Sequence, residues 1–176
     1  MDQCGYYPFK LYFNPNATKL MIEVKNIHKS FAGVEVLKGI KFENYSFKST
    51  NSVEVIGDKL YISPLLYFTF KDNPFKQENR EYPVDFIFPN QDNFKISLTI
   101  PEGYNIETLP ESKVIAMPDN IAKFSYEISK NNNQIQLSYI FDINKVVIDN
   151  GYYETLKDFF KELVNKNNEH IVLKKI

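Results

Sequence analysis

Ala122-Lys123-Phe124-Ser125-Tyr126-Glu127-Ile128-Ser129-Lys130-Asn131-Asn132-Asn133-Gln134-Ile135-Gln136-Leu137-Ser138-Tyr139-Ile140-Phe141-Asp142-Ile143 reads as two strands and the turn between them. Ala122, Phe124, Tyr126 and Ile128 alternate with Lys123, Ser125, Glu127 and Ser129, and Ile135, Leu137, Tyr139, Phe141 and Ile143 alternate on the way back. A period of two puts each apolar set on one face of a pleated strand. The asparagines between them suit a turn, because Asn tolerates positive φ better than other residues with a Cβ. The pattern predicts a hairpin with one buried face, and hence an antiparallel sheet.

The same period extends outward. Phe94, Ile96, Leu98 and Ile100 alternate with Lys95, Ser97 and Thr99 up to a Pro101-Glu102-Gly103 turn, which predicts a half-buried strand. Val53 and Val55, the Gly57-Asp58 turn, then Leu60 and Ile62 predict a second hairpin. Leu20, Ile22 and Val24 alternate cleanly, Val34 to Leu37 and Ile40 to Phe47 more loosely, and Leu65 to Phe70 is an apolar run ended by Asp72-Asn73-Pro74. His170 to Leu173 reads as a last short strand.

One segment has a different period. Tyr153, Leu156, Phe159, Phe160, Leu163 and Val164 fall on one face of a helix of about four turns, expected near residues 152–166. Asp149 or Asn150 is its expected cap, Glu154 favours the N-terminal dipole, and Asn165 to Asn168 ends it. Glu154, Lys157, Asp158, Lys161 and Glu162 are expected to form a solvated face. Many short strands followed by one helix predict a mainly β chain: an antiparallel β-sandwich-like domain over 20–176 with one C-terminal amphipathic helix. Residues 1–19 crowd Tyr6, Tyr7, Phe9, Tyr12 and Phe13 around Pro8 and ahead of Pro15 without a period. They read as a leader or linker arm, or as a strand on the domain's own edge.

At 176 residues, 43% of them hydrophobic and with 27 aromatics (12 Tyr, 15 Phe), the chain has room for one well-filled domain. Its formal charge of −1 supplies no field for nucleic acid. The broken apolar stretch Ile62 to Phe70 is about half of the ~20 residues that cross a bilayer. The N-terminus lacks the basic and apolar regions of a secretory signal, so an exported parent is expected to carry its signal upstream; whether this chain is a fragment the sequence leaves open.

Chemistry is sparse. Cys4 is the single cysteine, and it follows no pattern that pairs it with His28 or His170; an incidental thiol is the expectation. No spacing of His, Cys or carboxylates suggests a metal site, and scattered glycines make no phosphate loop, so no catalytic residue, metal or cofactor is expected. The segment Asn73 to Phe86 stands out because it holds Arg80, the one arginine beside twenty lysines. Arg80, Tyr82 and Asp85 form either a structural clamp, with Asp85, Glu81 or Glu78 gripping the guanidinium, or the lining of a groove for an anionic or sugar-like ligand.

Gly57-Asp58-Lys59-Leu60-Tyr61-Ile62-Ser63-Pro64-Leu65-Leu66, Asn73-Pro74-Phe75-Lys76 and Arg80-Glu81-Tyr82-Pro83-Val84-Asp85-Phe86 also carry a resemblance. So do Ile100-Pro101-Glu102-Gly103-Tyr104, Leu109-Pro110, Pro118-Asp119-Asn120 and the helix with Ile171 to Lys175. In this order they resemble the C-terminal β domain of unknown function that follows a transglutaminase-like core in exported multidomain bacterial proteins. The resemblance spans roughly Tyr45 to Lys175. It implies a β module outside a catalytic core, in a periplasmic or surface-linked parent. The family's Cys-His-Asp triad belongs to that core, so none of it transfers to this chain. The expected function is a non-catalytic accessory or interaction module, docking on a transglutaminase-like domain or another protein. The alternative is a carbohydrate- or polymer-binding sandwich in which exposed aromatic rings stack on sugars.

Overall fold

The computed structural model describes residues 52–65 and 70–176, together with the backbone of five strands nearer the N-terminus. Those five are β1 (Tyr7–Asn14), β2 (Lys19–Val24), β3 (Ser30–Phe31), β4 (Val34–Glu35) and β5 (Tyr45–Ser49). They are followed by β6 (Val53–Ile56), β7 (Lys59–Ile62), β8 (Val84–Asp85), β9 (Asn90–Thr99), β10 (Tyr104–Thr108), β11 (Lys113–Ala116), β12 (Ala122–Asn131) and β13 (Gln134–Ile143). Then come β14 (Val147–Ile148), the helix α1 (Tyr153–Asn167) and β15 (Ile171–Lys175).

Among the described residues the strands form a seven-stranded sheet, β11-β12-β13-β9-β1-β2-β5, and a four-stranded sheet, β10-β15-β7-β6. Two short ribbons, β14-β8 and β3-β4, accompany them. The predicted hairpin lies in the larger sheet with Tyr126 opposite Tyr139, and Asn132 takes a φ of 51° at its two-residue turn. β9 joins β13 from Asn90↔Ile143 to Thr99↔Gln134. Pairing is antiparallel except between β1 and β9, which run parallel. Of the expected arm 1–19, Tyr7–Asn14 thus stands inside the sheet between β9 and β2; the rest of that arm, apart from the first residue of β2, lies outside the described residues.

The second predicted hairpin is β6-β7, with Gly57 at φ +62° where a residue with a Cβ is disfavoured. β15 runs between β7 and β10 and completes the smaller sheet. Leu65 sits in a turn and Phe70 outside any strand, so the expected strand Leu65 to Phe70 is not formed at either end, and 66–69 lie outside the described residues.

One buried cluster unites the inner faces of both sheets with α1. It takes Phe124, Tyr126, Leu137, Tyr139 and Phe141 from the hairpin, Ile96 and Leu98 from β9, Leu60 and Ile62 from β7, and Leu156, Phe159, Phe160 and Leu163 from the helix. Phe160 is its aromatic hub: its ring centroid lies 4.9 Å from Phe75, 5.4 Å from Phe70, 5.8 Å from Phe141 and 5.7 Å from Phe159, all edge-to-face. That geometry sets the positive ring edge against a negative ring face.

The helix departs from expectation at its start and on its polar side. Neither Asp149 nor Asn150 caps α1; a single 3-10 turn, Asn150–Tyr152, leads into it, and the Tyr152 N–H donates to the Asp149 carbonyl. The outer face is not simply solvated either. Lys157 Nζ donates to the Glu78 carbonyl at 3.0 Å, and Glu162 pairs with Lys113 of β11. The loop that crosses the helix leaves its carbonyls without ladder partners, and helix side chains supply the donors.

Candidate functional site

The segment 71–88 connects the two sheets by crossing α1, and it is fastened side chain by side chain. Asn73 accepts the Phe75 N–H on Oδ1 at 2.9 Å and donates Nδ2–H to the Lys157 carbonyl at 2.9 Å. Asn168 Nδ2 donates to the Lys71 carbonyl, the Tyr153 hydroxyl to the Gln77 carbonyl, and Asn150 Nδ2 to the Glu81 carbonyl. Phe75 plugs the strap into the core against Phe86, Tyr153 and Phe160. Between these fastenings Gln77, Glu78, Asn79, Arg80, Glu81 and Tyr82 line an open hollow of about 600 Å³.

Arg80 and Asp85 do not meet as a bidentate clamp. Arg80 Nε donates to the Tyr82 carbonyl at 3.1 Å, and none of the expected carboxylates pairs with it. Asp85 spends Oδ1 on the Ile87 N–H at 2.7 Å. Next to it the Phe88 N–H reaches the Phe86 carbonyl at 2.7 Å, a three-residue turn that holds Ile87 at a φ of 69°. Positive φ in a β-branched residue is strained. The ring of Tyr82 is 75% exposed and Ile87 79% exposed, with Val147 of β14 also outside. Arg80 therefore shapes its own loop, and all three side chains are exposed, with Arg80 and Asp85 each hydrogen-bonded to nearby backbone.

A second polar group, which the sequence reading missed, lies at the C-terminal end of α1. Lys166 is only 6% exposed; its Nζ donates to the Glu111 carbonyl at 3.0 Å, pairs with Glu169 at 2.7 Å and lies 5.8 Å from the centre of the Tyr126 ring. The Tyr126 hydroxyl and both polar atoms of the buried Asn167 amide have no hydrogen-bond partner. Burial pushes the Tyr126 phenol up, and the Glu169 charge adds to the shift. Tyr139 is likewise raised by burial, opposed by the neighbouring Asn167 amide and aided by the charge of Asp92. Both phenols stay neutral near physiological pH and can only donate or accept hydrogen bonds. The facing tyrosines of the hairpin were the available signal for this group, but nothing local marked Lys166 and Asn167 as buried.

His170 is exposed, and the described residues hold no cluster of three or more His, Cys, Asp or Glu fit for a metal. Cys4, His28 and the side chains of the aromatic stretch Tyr6 to Phe13 lie outside the described residues. None of the described helices is long and apolar enough to cross a membrane.

Residues 58–173 match the model of a family described as a domain of unknown function with solved structure, DUF3858. The chain belongs to the DUF3858 family. The matched stretch begins in the β6-β7 turn and ends in β15, so it takes in the strap, the hairpin and α1. A crystal structure from Parabacteroides distasonis, described as that of a "putative protease", is similar to the DUF3858 chain at 18% identity with a TM-score of 0.48. The similarity covers 56% of this chain and 19% of that one, so the chain spans about a fifth of that protein's length. No curated protein matches the chain.

Proposed function

We propose that this DUF3858 domain is a non-catalytic interaction module of an exported transglutaminase-like protein, acting in the periplasm or at the cell surface. One observation carries the reading. In the strap, the segment that most resembled a site, Arg80 and Asp85 are spent on neighbouring backbone groups while Tyr82 and Ile87 stand in water. Side chains used in this way tie the loop to its own backbone and leave Tyr82 and Ile87 on its outer surface. A rigid loop that presents an aromatic and an aliphatic side chain suits docking, where Tyr anchors are favoured. The partner in this reading is the transglutaminase-like domain of the same parent.

The coding sequence directly upstream of Met1 tests the reading first, because it is expected to encode that core. Titrating the separately produced core with this chain is expected to give saturable binding that weakens at least about tenfold in Tyr82→Ala combined with Ile87→Ser. An upstream sequence without such a core, or binding unchanged by the double substitution, overturns the proposal. The carbohydrate-binding alternative calls for at least two coplanar exposed rings; among the described residues Tyr82 is the one ring that lines the hollow.

A further inference from the structure

The geometry points to β6 as an acceptor edge, onto which a partner polypeptide adds an extended, cation-bearing strand antiparallel to Val53–Ile56. This rests on the interaction-module reading and names where and how a partner is held.

The smaller sheet ends at β6. The Ser63 N–H donates to the Ser52 carbonyl at 3.0 Å, and β6 pairs with β7 from Val53↔Ile62 to Ile56↔Lys59. In an antiparallel ladder every second residue turns its N–H and C=O toward the neighbour. Ser52, Glu54 and Ile56 therefore face β7, and the backbone groups of Val53 and Val55 point off the sheet. Val55 lies opposite Leu60, a fully buried residue on the core face, yet Val55 is 50% exposed. Ile56 on the other face is 54% exposed, and the turn at Gly57 opens onto empty space. Among the described residues the core thus runs out to an uncovered edge whose outward donors and acceptors meet no strand, which is the arrangement that strand addition uses.

Charge selects the occupant. Glu54 is exposed in the middle of the edge and pairs with no cation among the described residues. A second copy of β6, added in the register that joins the outward groups of Val53 and Val55 with the most overlap, sets Glu54 opposite its own twin, and directly opposed like charges destabilise a sheet. A strand with Lys or Arg at that position and β-branched residues on either side meets both demands.

The test is a titration of the isotope-labelled full chain, followed by NMR, with the blocked peptide Thr-Thr-Val-Lys-Val-Thr-Thr and its Glu-for-Lys counterpart. The expected result is saturable shifts at the Val53 and Val55 amides, with the Lys peptide binding about fivefold tighter than the Glu peptide. Glu54→Lys is expected to reverse that preference. Val55→Pro is expected to abolish binding without unfolding the domain, since an outward N–H on an edge strand is where proline is tolerated. No shift at β6 with about 1 mM peptide, shifts confined to another surface, or a peptide preference that Glu54→Lys does not reverse overturns the inference. Binding elsewhere on the domain leaves the module reading standing, whereas turnover of a substrate by the chain ends that reading without bearing on β6.

Discussion

Truncating the Phe160 ring tests whether the aromatic hub joins helix, hairpin and strap. Phe160 is fully buried and touches four other rings at centroid separations of 4.9–5.8 Å. Phe160→Ala removes the transfer free energy of the ring and leaves a cavity in a close-packed site, a loss of about 3–5 kcal/mol. Phe160→Leu keeps most of the hydrocarbon and loses chiefly the edge-to-face contacts, a loss of about 1–2 kcal/mol. At roughly 2–4 °C per kcal/mol for a chain of this size, the alanine variant is expected to melt about 6–20 °C lower. The hub account adds a local effect. Phe75 rests on Phe160, so the strap is expected to lift first, and trypsin is expected to cut at Arg80 and Lys76 well below the melting temperature. Phe159→Ala is the control: its ring meets Phe141 and Phe160 but not Phe75, so it is expected to destabilise comparably while the strap stays protected in the folded state. A cost under about 1 kcal/mol for Phe160→Ala, or strap cleavage no faster than in Phe159→Ala, refutes the reasoning.

Tyr126 and Tyr139 have raised pKa values, so their neutral forms stabilise the fold below the ordinary phenol range and that contribution is lost as pH rises; the urea midpoint is expected to hold to about pH 9.5 and fall above pH 10, less steeply in Tyr126→Phe. Lys113 holds the Glu162 carboxyl below its ordinary value by hydrogen bond and charge, so the pair's contribution is present above that value and fades as pH falls through the depressed one; Lys113→Met is expected to move the Glu162 side-chain NMR titration upward, and an unmoved titration refutes the pairing. Ile87→Gly relieves left-handed strain worth about 1–2 kcal/mol against an unfolded-state cost of about 0.4–1 kcal/mol. A net gain of about 0.5–1 kcal/mol in chemical denaturation is expected, whereas a loss speaks against strain at that turn.

The hairpin, its asparagine turn and the helix were legible because each is a local pattern: period two, a residue that accepts positive φ, and a period near 3.6. β15, expected only as a short closing strand over His170 to Leu173, forms over Ile171–Lys175 without alternation, its first three residues all buried. What escaped the sequence depends on who faces whom. Arg80 invited a carboxylate partner by its chemistry, but its fork lies nearest the Tyr82 carbonyl, and a backbone acceptor leaves no mark in the residue pattern. The polar side of α1 read as solvated because nothing local shows that a loop from 71–82 crosses it and needs donors. Lys166 and Asn167 followed the same rule: their burial comes from the hairpin's paired tyrosines, distant in sequence.

The position of β15 has a consequence for synthesis on the ribosome. It is one of the two inner strands of the smaller sheet, yet both of its neighbours, β7 and β10, emerge before it. Translation at about 5–20 residues per second leaves the β6-β7 hairpin waiting on the order of ten seconds for its central partner. A lone two-stranded ribbon is barely stable in water over such a delay. Until then the nascent chain leaves the β15-facing edge of β7 and its apolar face Leu60 and Ile62 without their native cover.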